Sequence, residues 1–383
     1  MRLRKLNFYI LIILGIAIFI RLYIVNFLPL ETIGQERLLT NSFFNILSPF
    51  SAQATILLGL GNMVLIWLAG KRLCDNDVGL FSALLYAVSP WTFYLDVSGS
   101  SYVWLIFLLL ILFLGISTFL DMKKIWGLIV ATVSCVLLLY SSLFFWILFP
   151  IAIWITVRTR ILSLKQLGLT FMAVLILLLP LVTAMSKNTE GLLNAARQQV
   201  TIFSNVGLLN AVNQYQGESR QSGYILLSRV IENRYSYYSQ HLLFNLFKQL
   251  SPVVYFTHQE QLFGFSFSPP IYLGFLIPFI LGFSLWRDLW RRHGPSVIWV
   301  TVLFLPSVLS VRSPDLIRLS LVSPLIFLTI SYGLVKWRLS LNNRLMFCLF
   351  CMTVFLVLFQ GVTTLSDIAL REPVRLERML EKR

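Results

Sequence analysis

The sequence predicts an all-α membrane protein with about eleven transmembrane helices and a largely helical extracytoplasmic loop. Hydrophobic residues make up 57% of the 383 positions, and the mean hydropathy is +0.80. Charged residues make up 12%, about half of their usual share in soluble proteins. One soluble core could not bury so much apolar side chain, whereas helices in lipid satisfy each backbone N–H and C=O within their own segment.

The spans are predicted from apolar runs that approach the roughly 20 residues needed to cross the hydrocarbon core. They lie near residues 8–28, 53–70, 78–95, 102–120, 124–141, 143–157, 166–184, 269–286, 295–311, 318–335 and 344–365. The fifth and sixth runs are poorly separated around Tyr140, which leaves the count open by one. The basic start of the chain enters an apolar run too long for a signal peptide, so the first run is expected to be a span.

Lysine and arginine positions predict the orientation of these spans. With the N-terminus in the cytoplasm, sixteen Lys and Arg residues fall in cytoplasmic loops, while the short outer loops hold only Arg37, Arg312 and Arg318. Basic residues are enriched in cytoplasmic loops, so this orientation places the long loop outside the cytoplasm. The net charge of +15 has the same origin and does not indicate a nucleic-acid partner.

The apolar runs divide the chain into four parts. Residues 1–184 are an N-terminal transmembrane module of about seven helices, and residues 185–268 are an extracytoplasmic loop domain with amphipathic helices. Residues 269–365 are a C-terminal transmembrane module of about four helices, and residues 366–383 are a short charged outer tail. We therefore expect a multi-pass protein of the cell membrane.

The long loop has helical amphipathic patterns at residues 194–200 and 225–249, and aromatic residues crowd its second half. One interpretation is a helix that lies in the membrane interface, where aromatic rings with one polar edge settle. The other interpretation is a lid over a cavity within the membrane. The two interpretations are compatible.

Ionisable side chains inside membrane spans are costly, and each is therefore a functional hypothesis. Here they collect at the predicted outer ends of the spans. They are Arg21, then Glu31, Glu36 and Arg37 in the first outer loop, then Asp96, and finally Arg312, Asp315 and Arg318. The polar but uncharged Gln35 lies beside Glu36 in the same loop. Arg21 either extends toward the interface or faces a cavity or an acidic partner in the following loop.

These residue types suit a lipid-linked sugar phosphate, whose charged headgroup lies at the same depth. Arginine binds phosphate through its planar set of donors, and a carboxylate can act as the base on an acceptor hydroxyl. A lipid or ion transporter could carry similar groups. Inverted repeats and broken helices near the midplane would indicate such a transporter, and the sequence has no evident repeat of that kind.

Several stretches resemble the multispanning GT-C glycosyltransferases, in particular the bacterial protein-mannosyltransferase-like and aminoarabinose-transferase-like enzymes. The first is the segment from Arg21 through Pro29 to Gln35 and Glu36, and the second covers residues 68–73 and 78–91. Residues 200–204 and 247–252 lie where similar bacterial members place a soluble insert, and Arg318 begins a helix that continues through Pro324 and Gly333. The likeness covers roughly residues 8–335.

The resemblance implies a GT-C fold, a polyprenyl-phosphate sugar donor, and inverting transfer to a glycan, lipid or protein acceptor on the outer face. It implies that the first-loop acidic pair supplies the base, helped in some members by a divalent metal ion. No metal ligand set is evident in the sequence, since the three histidines are scattered. Glu36, Glu31 and Asp96 are therefore the candidate catalytic residues, and Arg21, Gln35, Arg37, Arg312 and Arg318 are the candidate substrate ligands.

The sequence departs from the family pattern in two places. Gln35 stands where the family has aspartate, and an amide cannot accept a proton at neutral pH, so the base would have to be Glu36 or Glu31. Val97 and Ser101 stand where many relatives carry an arginine and an acidic residue, while Asp96 lies one position earlier. An alternative is therefore a catalytically silent scaffold that binds a lipid-linked glycan or assembles with a partner.

Overall fold

The structure is a computed structural model. It describes residues 12–19, 21, 52–97, 99–122, 124–141, 143–158, 164–187, 206–221, 233–257, 261–262, 265–266, 269–293, 303–310, 315–339, 341 and 344–366. The predicted helix at 194–200, most of the predicted span at 295–311 and the charged tail lie outside these residues.

The described residues are predominantly helical, in agreement with the predicted class. The helices before the long loop are α1 (12–19), α2 (Ala52–Leu73), α3 (Asn76–Val88), α4 (Pro90–Val97), α5 (Ser101–Met122), α6 (Ile125–Ser141), α7 (Leu143–Arg158) and α8 (Leu164–Lys187). The loop contains α9 (Val206–Gln221), α10 (Arg234–Leu250), α11 (Pro252–Phe256) and a short antiparallel pair, β1 (Gln261–Leu262) and β2 (Phe265–Ser266). The remaining helices are α12 (Leu276–Gly282), α13 (Ser284–His293), α14 (Leu305–Val308), α15 (Leu316–Leu319), α16 (Ser323–Leu339) and α17 (Arg344–Ser366), with 3-10 turns at Leu273–Phe275 and Ser320–Val322.

Four described helical segments are long and apolar enough to cross a membrane. They are Ala54–Leu73, Ser101–Met122, Leu316–Leu339 and Arg344–Thr364, and the bent pair α3 and α4 makes a fifth if it counts as one span. These helices indicate a protein that crosses the membrane more than once. The predicted total of about eleven stays a prediction, because α6 and the apolar part of α8 are shorter and much of the first and ninth predicted spans is outside the described residues.

The predicted span at 78–95 is broken into two helices at Ser89. The axes of α3 and α4 differ by 59°, and α4 begins at Pro90, which has no N–H to continue the hydrogen-bond ladder of α3. The predicted span at 269–286 is likewise not one helix, since it consists of a 3-10 turn, α12 and the first residues of α13. Gly282 and Gly333 let α12 and α16 approach so closely that a Cβ at either glycine would overlap the backbone of the other helix.

Ion pairs connect helix ends at one side of the bundle. Arg72 at the end of α2 lies 3.0 Å from Asp121 at the end of α5, and Arg338 at the end of α16 lies 2.8 Å from Asp77 at the start of α3. At the other end of α2, Thr55 contacts Asp96. Thr55 and Arg72 are 17 residues apart, or about 26 Å along a helix. Charged groups thus bracket an apolar layer close to the thickness of a bilayer core.

Candidate active site at one end of the bundle

Arg21 and Asp96 form an ion pair that is completely buried. The Nη2 atom of Arg21 lies 2.7 Å from Oδ2 of Asp96, and its Nε donates to the same oxygen at 2.8 Å. Neither side chain is exposed to solvent, at 0% each. The Nη1 atom of Arg21 donates to the carbonyls of Ala17 and Ala87. The guanidinium therefore fastens the first helix to the end of α3 and to α4.

The second helix shapes the space around the Asp96 carboxylate. Gly59 faces this carboxylate, which occupies the volume that a Cβ at position 59 would need. Thr55, one turn earlier, donates its hydroxyl to the backbone carbonyl of Asp96 at 2.6 Å. The absence of a side chain at Gly59 is thus a condition for the ion pair.

A series of hydrogen-bonded polar side chains runs from Asp96 toward the middle of the bundle. The Tyr86 hydroxyl lies 3.5 Å from Oδ1 of Asp96, and Nδ2 of Asn62 donates to the Tyr86 hydroxyl at 3.2 Å and to the Val103 carbonyl at 3.0 Å. All three polar side chains are buried. The Oδ1 atom of Asn62 has no hydrogen-bond partner in the part of the chain that the structure describes. Buried polar groups in an apolar layer are costly unless they form hydrogen bonds with one another. These hydrogen bonds therefore determine how α2, α3, α4 and α5 pack.

The Arg318 guanidinium lies at the start of a different helix and is partly exposed. Its Nε is 3.2 Å from Oδ2 of Asp315, with side-chain exposures of 14% and 17% respectively. Asp315 caps α15 by accepting from the backbone N–H of Arg318 at 3.1 Å, and Ser310 donates to Oδ2 of Asp315 at 2.9 Å. The aspartate therefore holds the arginine in place without burying it completely.

Trp91 joins the helix of Asp96 to the helix of Arg318. Its buried indole Nε1 donates to the Leu316 carbonyl at 3.0 Å. Ser89, at the break before α4, donates to the Pro270 carbonyl at 2.9 Å, and Tyr255 packs against the Trp91 ring with the centroids 6.2 Å apart. Segments separated by more than 150 residues in sequence thus meet around the start of α4.

The long loop contributes α10 and α11 to the same end of the bundle. Asn245 of α10 donates to the carbonyls of Val308 and Ser310 at 3.0 and 3.2 Å. Tyr255 donates its hydroxyl to the carbonyl of Gln249 at 2.7 Å, and burial raises the pKa of this phenol above its ordinary value. The phenol therefore stays protonated and keeps this hydrogen bond at all physiological pH values.

The structure thus places three of the predicted site residues, Arg21, Asp96 and Arg318, at one end of the bundle, and it pairs the first two with each other. Glu31, Gln35, Glu36, Arg37 and Arg312 lie outside the described residues, so their roles stay predictions. Thr55, Gly59, Asn62 and Tyr86 were not assigned to the site from the sequence. The signal that could have found them is the presence of Thr55 and Asn62 at helical spacing within one apolar run.

No group of three or more His, Cys, Asp or Glu side chains suited to a metal ion occurs among the residues that the structure describes. The divalent ion implied by the family resemblance therefore stays a prediction that depends on the first outer loop.

No protein-family model matches the sequence, and no curated protein matches it. Among solved structures, the chain is similar to the archaeal oligosaccharyltransferase AglB from Archaeoglobus fulgidus in complex with an inhibitory peptide and a dolichol-phosphate. The identity is 13% and the TM-score 0.43, over 85% of this chain and 44% of that chain. The apo crystal structure of the Archaeoglobus fulgidus oligosaccharyltransferase matches with 13% identity and a TM-score of 0.44, over 83% of this chain and 44% of that chain. The chain thus spans less than half the length of these archaeal oligosaccharyltransferase chains.

Proposed function

We propose that this protein is a membrane-embedded glycosyltransferase of the GT-C type. It moves a sugar from a polyprenyl-phosphate donor to an acceptor at the outer face of the membrane. The observation that carries the proposal is the Trp91–Leu316 hydrogen bond of 3.0 Å, which sets the helix of Asp96 beside the helix of Arg318. The partly exposed Arg318 guanidinium, as the phosphate-binding group, and the start of the acidic first loop are thereby expected at one end of the bundle.

Arg318 is the proposed ligand of the donor phosphate. Its guanidinium is partly exposed, and Asp315 orients it through Nε. A planar guanidinium with an orienting partner suits a phosphate, because its planar set of donors matches the geometry of phosphate oxygens.

Glu36 is the proposed base, and Arg21 and Asp96 are proposed to position the loop that carries it. Arg21 lies on the first helix, and its ion pair with Asp96 holds this helix against α4. Both groups are paired and fully buried, so contact with a phosphate or an acceptor would require breaking the pair. We therefore assign them a positioning role in place of the direct contacts expected from the sequence.

The second candidate is a catalytically inactive scaffold, and the presence of glutamine at position 35 (Gln35) favours it. The family resemblance calls for an acid at this position, and an amide cannot serve as a base. Such a subunit would bind the lipid-linked glycan through Arg318 and leave it unchanged.

Sugar transfer from a radiolabelled polyprenyl-phosphate donor separates the two candidates. Membranes with the wild-type protein should transfer label, and Glu36→Gln should abolish transfer. Glu218→Gln on α9 is the matched control, since this exposed carboxylate belongs to the long loop, is not a proposed site residue and should be dispensable. If no donor is turned over by the wild type, and Gln35→Asp restores nothing, the enzyme proposal fails and the scaffold remains.

Binding of the polyprenyl phosphate itself tests the role of Arg318 in either candidate. Arg318→Gln should weaken retention of a labelled polyprenyl phosphate by the purified protein. Arg338→Gln removes an arginine at the opposite end of the apolar segment Leu316–Leu339 and should leave retention unchanged. Equal retention in the two variants would exclude Arg318 as the phosphate ligand.

A further inference from the structure

Helix α10 buries polar side chains and exposes apolar ones, which is the reverse of an amphipathic helix in a soluble protein. In its last turns the buried side chains are polar, since Asn245 is 5% exposed and Gln249 is 0% exposed. Large apolar side chains cover the other face, with Phe247 at 68% exposure. The exposed apolar row consists of Leu243, Phe244, Phe247, Leu250 and, after the turn into α11, Val253.

The polar face is fixed to the protein. The Asn245 side-chain amide donates to the carbonyls of Val308 and Ser310, in and after α14. The backbone carbonyl of Gln249 accepts from the Tyr255 hydroxyl, which holds the end of α10 to α11. The helix cannot turn its apolar row inward without breaking these bonds and leaving buried carbonyls without donors. The apolar row is therefore held outward by the packing of the helix.

The position of α10 determines which environment the exposed apolar row contacts. The helix attaches at Val308 and Ser310, a few residues before the apolar segment Leu316–Leu339, and it continues into α11, which packs on Trp91 and Phe279. It thus lies at the end of the spanning helices, where the hydrocarbon core gives way to headgroups. Lys248 is also exposed and lies next to Phe247, an arrangement typical of helices at this depth.

We propose that α10 and the start of α11 lie in the membrane interface at the Arg318 end of the bundle, with the exposed row inserted among acyl chains. Burying such a row among acyl chains removes its apolar surface from water, which is favourable. The partner of this surface is a phospholipid leaflet. The inference requires only a membrane-embedded chain and holds for either candidate function.

Lipid photolabelling of the wild-type protein tests the proposal without any substitution. The protein is placed in nanodiscs at one copy per disc, with a phosphatidylcholine that carries a diazirine near the end of one acyl chain. We expect labels on the peptide that contains residues 243–253 and far fewer on α9, where Asn213 and Gln214 are exposed polar side chains. Labelling of α9 alone would overturn the proposal.

A spin label gives an independent measurement of depth. With the four native cysteines replaced, nitroxides are attached at Phe247→Cys and, as a control, at Asn213→Cys. Oxygen, which concentrates in acyl chains, should relax the label at 247 more than a water-soluble nickel complex does, and the order should reverse at 213. A water-exposed label at 247, or protection there from both reagents through contact between two copies of the chain, would overturn the proposal.

Discussion

Asp96 and Gly59 are in direct contact, and the contact exists only because position 59 has no side chain. The carboxylate lies against the backbone of α2 at this glycine and, from that position, pairs with Arg21 on the first helix. Three helices are thus joined through one buried acidic group.

Replacing Gly59 by alanine is expected to destabilise the protein strongly. The new methyl group would occupy the volume of the Asp96 carboxylate. Either the ion pair must break or α2 must move away from Asp96. Overpacking of this kind costs about 1–3 kcal/mol, and displacement of the pair adds to it. Gly168→Ala on α8 is the control, because a Cβ there meets no atom within 4 Å and the change should be neutral. Thermal unfolding in detergent measures both; equal melting temperatures for the two variants would contradict the prediction.

Removing either partner of the Arg21–Asp96 pair is expected to cost about 3–5 kcal/mol, because the other charge is then buried alone. The double variant Arg21→Met, Asp96→Leu should be more stable than either Arg21→Met or Asp96→Leu, since no unpaired charge remains. The control is the Arg72–Asp121 pair, with exposures of 21% and 56%, for which single replacements should cost about 1 kcal/mol or less. A double-mutant cycle on unfolding free energies checks this, and simple additivity at Arg21 and Asp96 would show that the pair is not coupled.

Trp91→Phe is expected to weaken both stability and retention of a polyprenyl phosphate. The substitution leaves the Leu316 carbonyl without its donor, at about 1–3 kcal/mol, and it loosens the helix that presents Arg318. Trp337→Phe is a matched control, because Trp337 is also buried and donates to the Met346 carbonyl at 3.1 Å, but near the opposite end of α16. It should lower the melting temperature and leave phosphate retention intact. Equal loss of polyprenyl-phosphate retention in both variants would mean that retention depends only on the stability of the protein and not on the position of Arg318.

The orientation predicted from the basic loops can be tested with a native thiol. Cys74 follows α2 at the end of the bundle where Arg72 pairs with Asp121, the end predicted to face the cytoplasm. In a variant that keeps Cys74 as its only cysteine, a membrane-impermeant maleimide should label permeabilised cells but not intact ones. A cysteine at Asn213 in place of Cys74 should react in intact cells, since α9 belongs to the loop predicted to lie outside. The reverse pattern would invert the topology.

The sequence by itself determined the helical class, the apolar runs and the ends at which charges collect. These properties depend on local composition, because a backbone in lipid has to form helices and charged side chains have to leave the apolar layer. Helices α2, α5 and α17 and the segment Leu316–Leu339 each overlap one of the predicted spans along its whole length or nearly so for this reason. Hydropathy averaging did not resolve the break at Ser89, although Pro90 was visible in the sequence, because the run remains apolar on both sides of the proline.

Only the tertiary structure decided which polar groups pair. From the sequence, Arg21 either extended toward the interface or faced a cavity or an acidic partner in the next loop, and it was a candidate substrate ligand. Asp96 was a candidate catalytic group. Their ion pair across 75 residues depends on the approach of α2 at Gly59, which no local pattern encodes. The same holds for α10. Its sequence shows an apolar side and a polar side. Packing against Val308 and Ser310 buries the polar side and leaves the apolar side exposed.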